Sequence, residues 1–200
     1  MLTKFLLQIA TVPLLLQAGP SLVQHSFSKS PDAIVQSLYR RVISRHPLGI
    51  PSGADERIFA PYLSKDLRDR IESARACQDD WLRQNREHAS PNQPAEKPPY
   101  AWRELGLFSG DEELSEPSSF QIGKVEPDQG GSYRVYVKLT EAPANDKPWS
   151  WDVAVQIKMQ HHRLVVNDVF YLKGNGVPAE SRLSEILMKG CRGSRWIGNN

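Results

Sequence analysis

Asp168 is the acid whose surroundings best suit it to chemistry. It follows Asn167 inside the run Arg163-Leu164-Val165-Val166-Asn167-Asp168-Val169-Phe170-Tyr171-Leu172, which is otherwise almost wholly apolar. A carboxyl group facing a dry pocket keeps its proton to higher pH, which suits a general base or a protonated hydrogen-bond donor. Tyr39, Tyr62, Tyr136 and Tyr171 are phenols that can partner it. The competing reading is structural, with the carboxylate satisfying a nearby backbone group or an arginine. Five histidines, His25, His46, His88, His161 and His162, are the other candidate bases or ligands. Neighbours in a strand point to opposite faces and neighbours in a turn seldom converge on one ion, so His161-His162 reads as a turn and not a metal site. His46, just past a helical pattern, reads as a helix-end residue favoured by the dipole.

Other motifs exclude whole classes of reaction. The chain has no G-x-S-x-G elbow, no P-loop and no G-x-G-x-x-G, since Gly174 and Gly176 lack the third glycine. Its acidic stretch, Gly110-Asp111-Glu112-Glu113 with Glu116-Pro117, lacks the spacing of an EF-hand loop and reads as an acidic turn. No metal and no cofactor is expected. The two cysteines, Cys77 and Cys191, do not form a C-x-x-C pair. Two is the number that makes one disulfide in an oxidising compartment; the alternative is two buried thiols that never meet.

These residues need elements to position them. Trp149, Trp151, Val153, Val155, Ile157 and Met159 alternate with Ser150, Asp152, Ala154, Gln156 and Lys158, the period of a half-buried strand. The Asp168 run follows after the histidines, so the two predict a long hairpin whose odd-numbered face is buried. Tyr133, Val135, Val137 and Leu139 mark one face of an earlier strand, and Phe120 to Val125 another, with Gly123 a candidate bulge. Ser30-Pro31-Asp32 predicts a helix start, with Ile34, Val35, Leu38 and Val42 at helical spacing as far as Arg45. Ser64 caps a second pattern with Leu67, Ile71, Ala74, Cys77 and Trp81 on one face. A short helix is expected over Glu180 to Lys189, with Gly190 as its C-cap. Helices first and hairpin-linked strands afterwards make an α+β fold, with N-terminal helices packed on a curved antiparallel sheet of about four strands. Such a layout leaves a pocket between the layers, for which Tyr39, Trp81, Tyr136, Trp151 and Asp168 are the candidate lining residues.

The first twenty-odd residues differ from the rest. Lys4 begins them, Phe5 to Leu16 is an apolar run broken by Pro13, and Gln17-Ala18-Gly19-Pro20 supplies small residues at a candidate cut. Residues 1–21 are therefore expected to be a signal peptide, with an uncleaved membrane anchor or a buried first helix as the alternatives. The apolar run falls short of the roughly 20 residues a bilayer span needs. A single domain over 30–191 and a flexible tail over 192–200 complete the expected organisation. The formal net charge of +2 supplies no basic field to attract nucleic acid.

The order of short signatures, S-P-D-A-I-V-Q-S-L-Y, P-Y-L-S-K-D-L-R, E-P-S-S-F-Q-I-G-K-V, S-Y-R-V-Y-V-K-L, W-S-W-D-V-A-V-Q-I and L-V-V-N-D-V-F-Y, spans Ser30 to Leu172. It resembles an exported bacterial family with a nuclear-transport-factor-like (cystatin-like) cone. The resemblance implies a periplasmic or secreted domain. Ketosteroid isomerase and scytalone dehydratase share that cone and use acids, tyrosines or histidines in its pocket, but their catalytic sets do not map onto this chain. The expected function is thus non-enzymatic binding of a small ligand or an envelope protein. The rival is an isomerase- or dehydratase-type enzyme built on Asp168.

Overall fold

The structure, a computed structural model, describes residues 30–87, 97–111, 116–172 and 180–198. The expected leader, His25, His88 and the Gly174–Pro178 turn lie outside the described residues.

Helix α1 (Pro31–Arg45) begins at the proline and buries Val35, Leu38, Tyr39 and Val42, an i, i+3, i+4, i+7 stripe. Ser30 occupies its N-cap position with extended backbone, but its hydroxyl makes no capping hydrogen bond. The helix ends at His46, whose left-handed φ of 44° lets its N–H bond the Val42 carbonyl at 2.8 Å. Helix α2 (Gly53–Phe59) runs into a 3-10 turn, Ala60–Tyr62. Helix α3 (Lys65–Glu87) is capped by Ser64, whose Oγ accepts from the Leu67 N–H at 3.1 Å, and buries Leu67, Ile71, Ala74, Cys77 and Trp81.

Four antiparallel strands follow in the spatial order β1-β2-β3-β4: Ser119–Asp128, Ser132–Glu141, Trp149–Gln160 and Arg163–Tyr171. The register of β1 on β2 slips between Ile122 and Val125, which places a bulge at Gly123 and Lys124. The long hairpin turns through His161 and His162 at φ 48° and 62°, the backbone that a two-residue primed turn demands. Val135, Val155 and Val169 form one row of the inner face, and Val137, Val153 and Tyr171 the next. All six are fully buried, each contributing about 1.5–3 kcal/mol of burial free energy. The alternating face does not stay buried along its whole length: Trp149 is 38% exposed and Met159 58% exposed, where the strand ends lose the cover of the packed layer.

The space between the layers is filled by the chain itself. Residues 105–111 are all buried, Asp111 of the expected acidic turn among them. Three successive carbonyls of this segment are claimed by buried aromatic donors. Tyr171 donates to Leu107 O at 2.6 Å, Tyr39 to Phe108 O at 2.6 Å, and Trp151 Nε1 to Ser109 O at 2.7 Å. A loop can enter a core only if its backbone polar groups find partners, and these three side chains supply them.

The C-terminal residues depart from the expected flexible tail. Cys191–Arg192 (β5) pairs with Arg195–Trp196 (β6) after a short helix α4 (Leu183–Ile186). Trp196 is buried edge-on against Trp102 at 5.5 Å, and Asp80 of α3 accepts its backbone N–H at 2.9 Å. Cys77 and Cys191 are joined in a disulfide with Cα atoms 6.2 Å apart, so α3 and the hairpin are covalently tied. Burial of Trp196 and the crosslink at Cys191 hold this end of the chain against α3.

Candidate functional site

The candidate lining residues do not converge on one pocket. Tyr39 and Trp151 are spent on the buried loop, as the hydrogen bonds above show. Burial pushes the phenols of Tyr39 and Tyr171 well above their ordinary range, so both remain donors and neither serves as a base. Trp81 belongs to a separate cluster with Cys77, Trp102 and Trp196, because the C-terminal hairpin packs on that end of α3. Tyr136 lies on the opposite face of the sheet, half-buried, with the Lys124 ammonium 4.4 Å from its ring centre.

Asp168 shares that opposite face, because it pairs with Gln156, which pairs with Arg134. It is 6% exposed, and burial raises its carboxyl above the usual range. Its oxygens are nevertheless occupied. Oδ1 accepts from the backbone N–H groups of Val169 at 2.9 Å and Ser184 at 3.1 Å, and Oδ2 accepts from Ser184 Oγ at 2.6 Å. Asp168 is thus a cap for α4 supplied from the adjoining strand. Tyr39 and Tyr171 donate to the buried loop on the other side of the sheet, and the Asp168 oxygens are taken by Val169 and Ser184, so no phenol bonds this acid among the described residues.

Asp111 is the second buried acid. It is 3% exposed, and burial raises its carboxyl to about 6 against a hydrogen bond from Ser109. Its Oδ1 has no partner among the described residues, and a Cβ added at Gly106 would lie 2.1 Å from that oxygen. The tight approach explains glycine at position 106. His46 Nδ1 lies 3.7 Å from Glu116 at the mouth of this segment.

A cavity of about 610 Å³ opens elsewhere, between α1, the 3-10 turn and the tip of the long hairpin. Ile34, Ile58, Leu164 and Met159 give it an apolar wall. Ser37 and Tyr62, 3.0 Å apart through their hydroxyls, add a polar pair. Arg41, Arg163 and His162 supply the basic edge, and no acid among the described residues lines it. The Arg163 guanidinium donates to the Pro61 carbonyl, and neither arginine has a carboxylate partner among the described residues.

The elements explain the convergence. Ile34, Ser37 and Arg41 follow i, i+3, i+7 along α1, beside the stripe that enters the core. The left-handed turn at His161 and His162 returns the chain so that Met159 pairs with Leu164. Pro61 forces a 3-10 turn that brings Tyr62 against Ser37. Sequence reasoning counted Tyr62 among the phenols but missed Arg41, Arg163, Ile58 and Leu164. The available signals were the mixed apolar–hydroxyl–basic stripe on α1 and a basic residue directly after the hairpin turn. A smaller groove of about 380 Å³ between α2 and α3 offers less, because its charges neutralise one another: Arg75 pairs with Glu56 and Glu72, and Lys65 with Asp69.

No helix among the described residues is long and apolar enough to cross a membrane. Comparison with protein-family models, with curated proteins and with solved structures finds no match.

Proposed function

We propose that this chain is an extracytoplasmic binding protein that holds a small ligand with an apolar body in the cavity at the hairpin tip. The observation that carries this reading is an apolar wall left open at the surface: Ile34, Ile58 and Leu164 are only half-buried, and Met159 is 58% exposed. Its volume of about 610 Å³ lies inside the range of roughly 300–1,000 Å³ typical of small-molecule clefts, which favours a small ligand over an envelope protein as the occupant. The Cys77–Cys191 disulfide and the leader-like residues 1–21 support a periplasmic or secreted setting. Helices α1 and α3 packed against a four-stranded antiparallel sheet support the nuclear-transport-factor-like cone and the exported bacterial family suggested by the sequence signatures. Binding is preferred over isomerase or dehydratase chemistry because both Asp168 carboxylate oxygens already hold α4 in place.

The test is fluorescence titration with Nile red, a neutral apolar dye, against the folded oxidised protein. Saturable binding is expected, and it should be lost in Ile58→Trp and Leu164→Trp variants, whose larger side chains occupy the cavity. A dye that does not bind, or that binds these variants as it binds the parent, removes this reading.

A further inference from the structure

Resting on that reading, we infer that the cavity selects an amphipathic organic anion, its charged head placed between Arg41 and Arg163 and its hydrocarbon body against Ile34, Ile58 and Leu164. Three observations point to a negative head. Among the described residues the lining carries two guanidinium groups and one imidazole but no carboxylate. Arg45, one turn beyond Arg41 on the same helix, shows the usual alternative: its guanidinium is bonded to Asp55 at 2.7 Å, whereas Arg41 has no such partner among the described residues. The Arg163 guanidinium is steadied by a backbone carbonyl, Pro61 O, and not by an acid. A carbonyl orients the fork without neutralising its charge, so a full positive charge stays at the cavity edge.

The apolar wall sets the other half of the specificity. Arginine beside exposed aliphatic surface suits a molecule with a charged end and a hydrophobic body, because each half satisfies what the other leaves unpaired. A purely inorganic anion would leave the apolar wall exposed to water. A neutral hydrocarbon would leave both guanidinium charges without a counter-charge.

Displacement of bound Nile red by decanoate and by decanol tests the inference, since the two differ in the head and share the chain length. Decanoate is expected to displace the dye at about tenfold lower concentration than decanol, the ratio expected of one charge-assisted contact in a partly exposed site. The advantage should shrink as salt rises. In the double variant Arg41→Gln, Arg163→Gln the preference for decanoate over decanol should disappear. Equal displacement by both compounds in the parent protein, or equal weakening of both in the variant, overturns the anion inference and leaves the cavity reading standing. Failure of Nile red itself to bind removes both. Circular dichroism melting of the double variant keeps the comparison on folded protein.

Discussion

At the scale of single residues, Asp111 is an acid whose ionisation the fold resists within an accessible pH range. Burial holds its carboxyl at about 6, against 3.8 for the free side chain. Between those values the folded protein keeps a proton that the unfolded chain has already released, so stability falls as pH rises through the window and levels off above it. A shift of that size corresponds to about 3 kcal/mol at most. Asp111→Asn keeps the shape and removes the charge. Urea unfolding followed by tryptophan fluorescence should show the parent losing more stability than this variant between about pH 4 and pH 6. Parallel pH profiles for the two proteins would sink this account. His46 and Glu116 sit beside Asp111 and are present in both proteins, so the difference between the profiles isolates the one carboxyl.

At the scale of elements, the short helix α4 depends on a residue far from it in the chain. A four-residue helix has little intrinsic stability, because nucleation costs more than so few hydrogen bonds return. Asp168 compensates by accepting from the Ser184 backbone and hydroxyl at the helix start, while Leu183 is anchored in the core. Asp168→Ala should therefore cost about 1–3 kcal/mol, the penalty for leaving buried donors unpaired. Asp168→Asn, which keeps one acceptor oxygen, should cost less. Thermal melts rank the variants, and amide exchange across 183–187 locates the loss; a loss spread evenly over the sheet would argue against the capping role. The 105–111 loop follows the same logic in reverse, since Tyr39, Trp151 and Tyr171 come from three different elements to satisfy its carbonyls.

At the scale of the molecule, two hydrophobic clusters have separate tasks. The larger joins α1, α3 and the inner face of the sheet, and the smaller gathers Trp81, Trp102 and Trp196 around Cys77. The disulfide spans 114 residues of chain, so its closure restricts the unfolded state and should stabilise the fold by about 4–5 kcal/mol on the chain-entropy account. A Cys77→Ala, Cys191→Ala variant is expected to melt at lower temperature, with Trp196 exposed to a fluorescence quencher before the sheet unfolds. Identical melting of parent and variant would mean that the crosslink adds nothing. The cavity is built almost wholly from elements of the larger cluster, so Nile red binding should survive in the cysteine variant at temperatures where the sheet persists.

The sequence by itself determined the helices, the strands and their buried faces, because periodicity is a local property that a single element expresses without its neighbours. The starts of α1 and α3, the four strands, the Gly123 bulge and the His161-His162 turn were all legible in this way, as was the pairing of two cysteines as one of two open possibilities. What only the tertiary structure decided was which faces meet. Asp168 carries the same strand pattern whether it points into a pocket or out to a helix end, and the register with Gln156 chose the latter. Asp111 reads as a turn residue until three aromatic donors draw its loop inward, and Trp196 reads as tail until α3 and a disulfide hold it. The cavity follows the same rule. Arg41 and Arg163 are separated by most of the chain, and no local pattern records that a hairpin turn and a proline bring them to one edge.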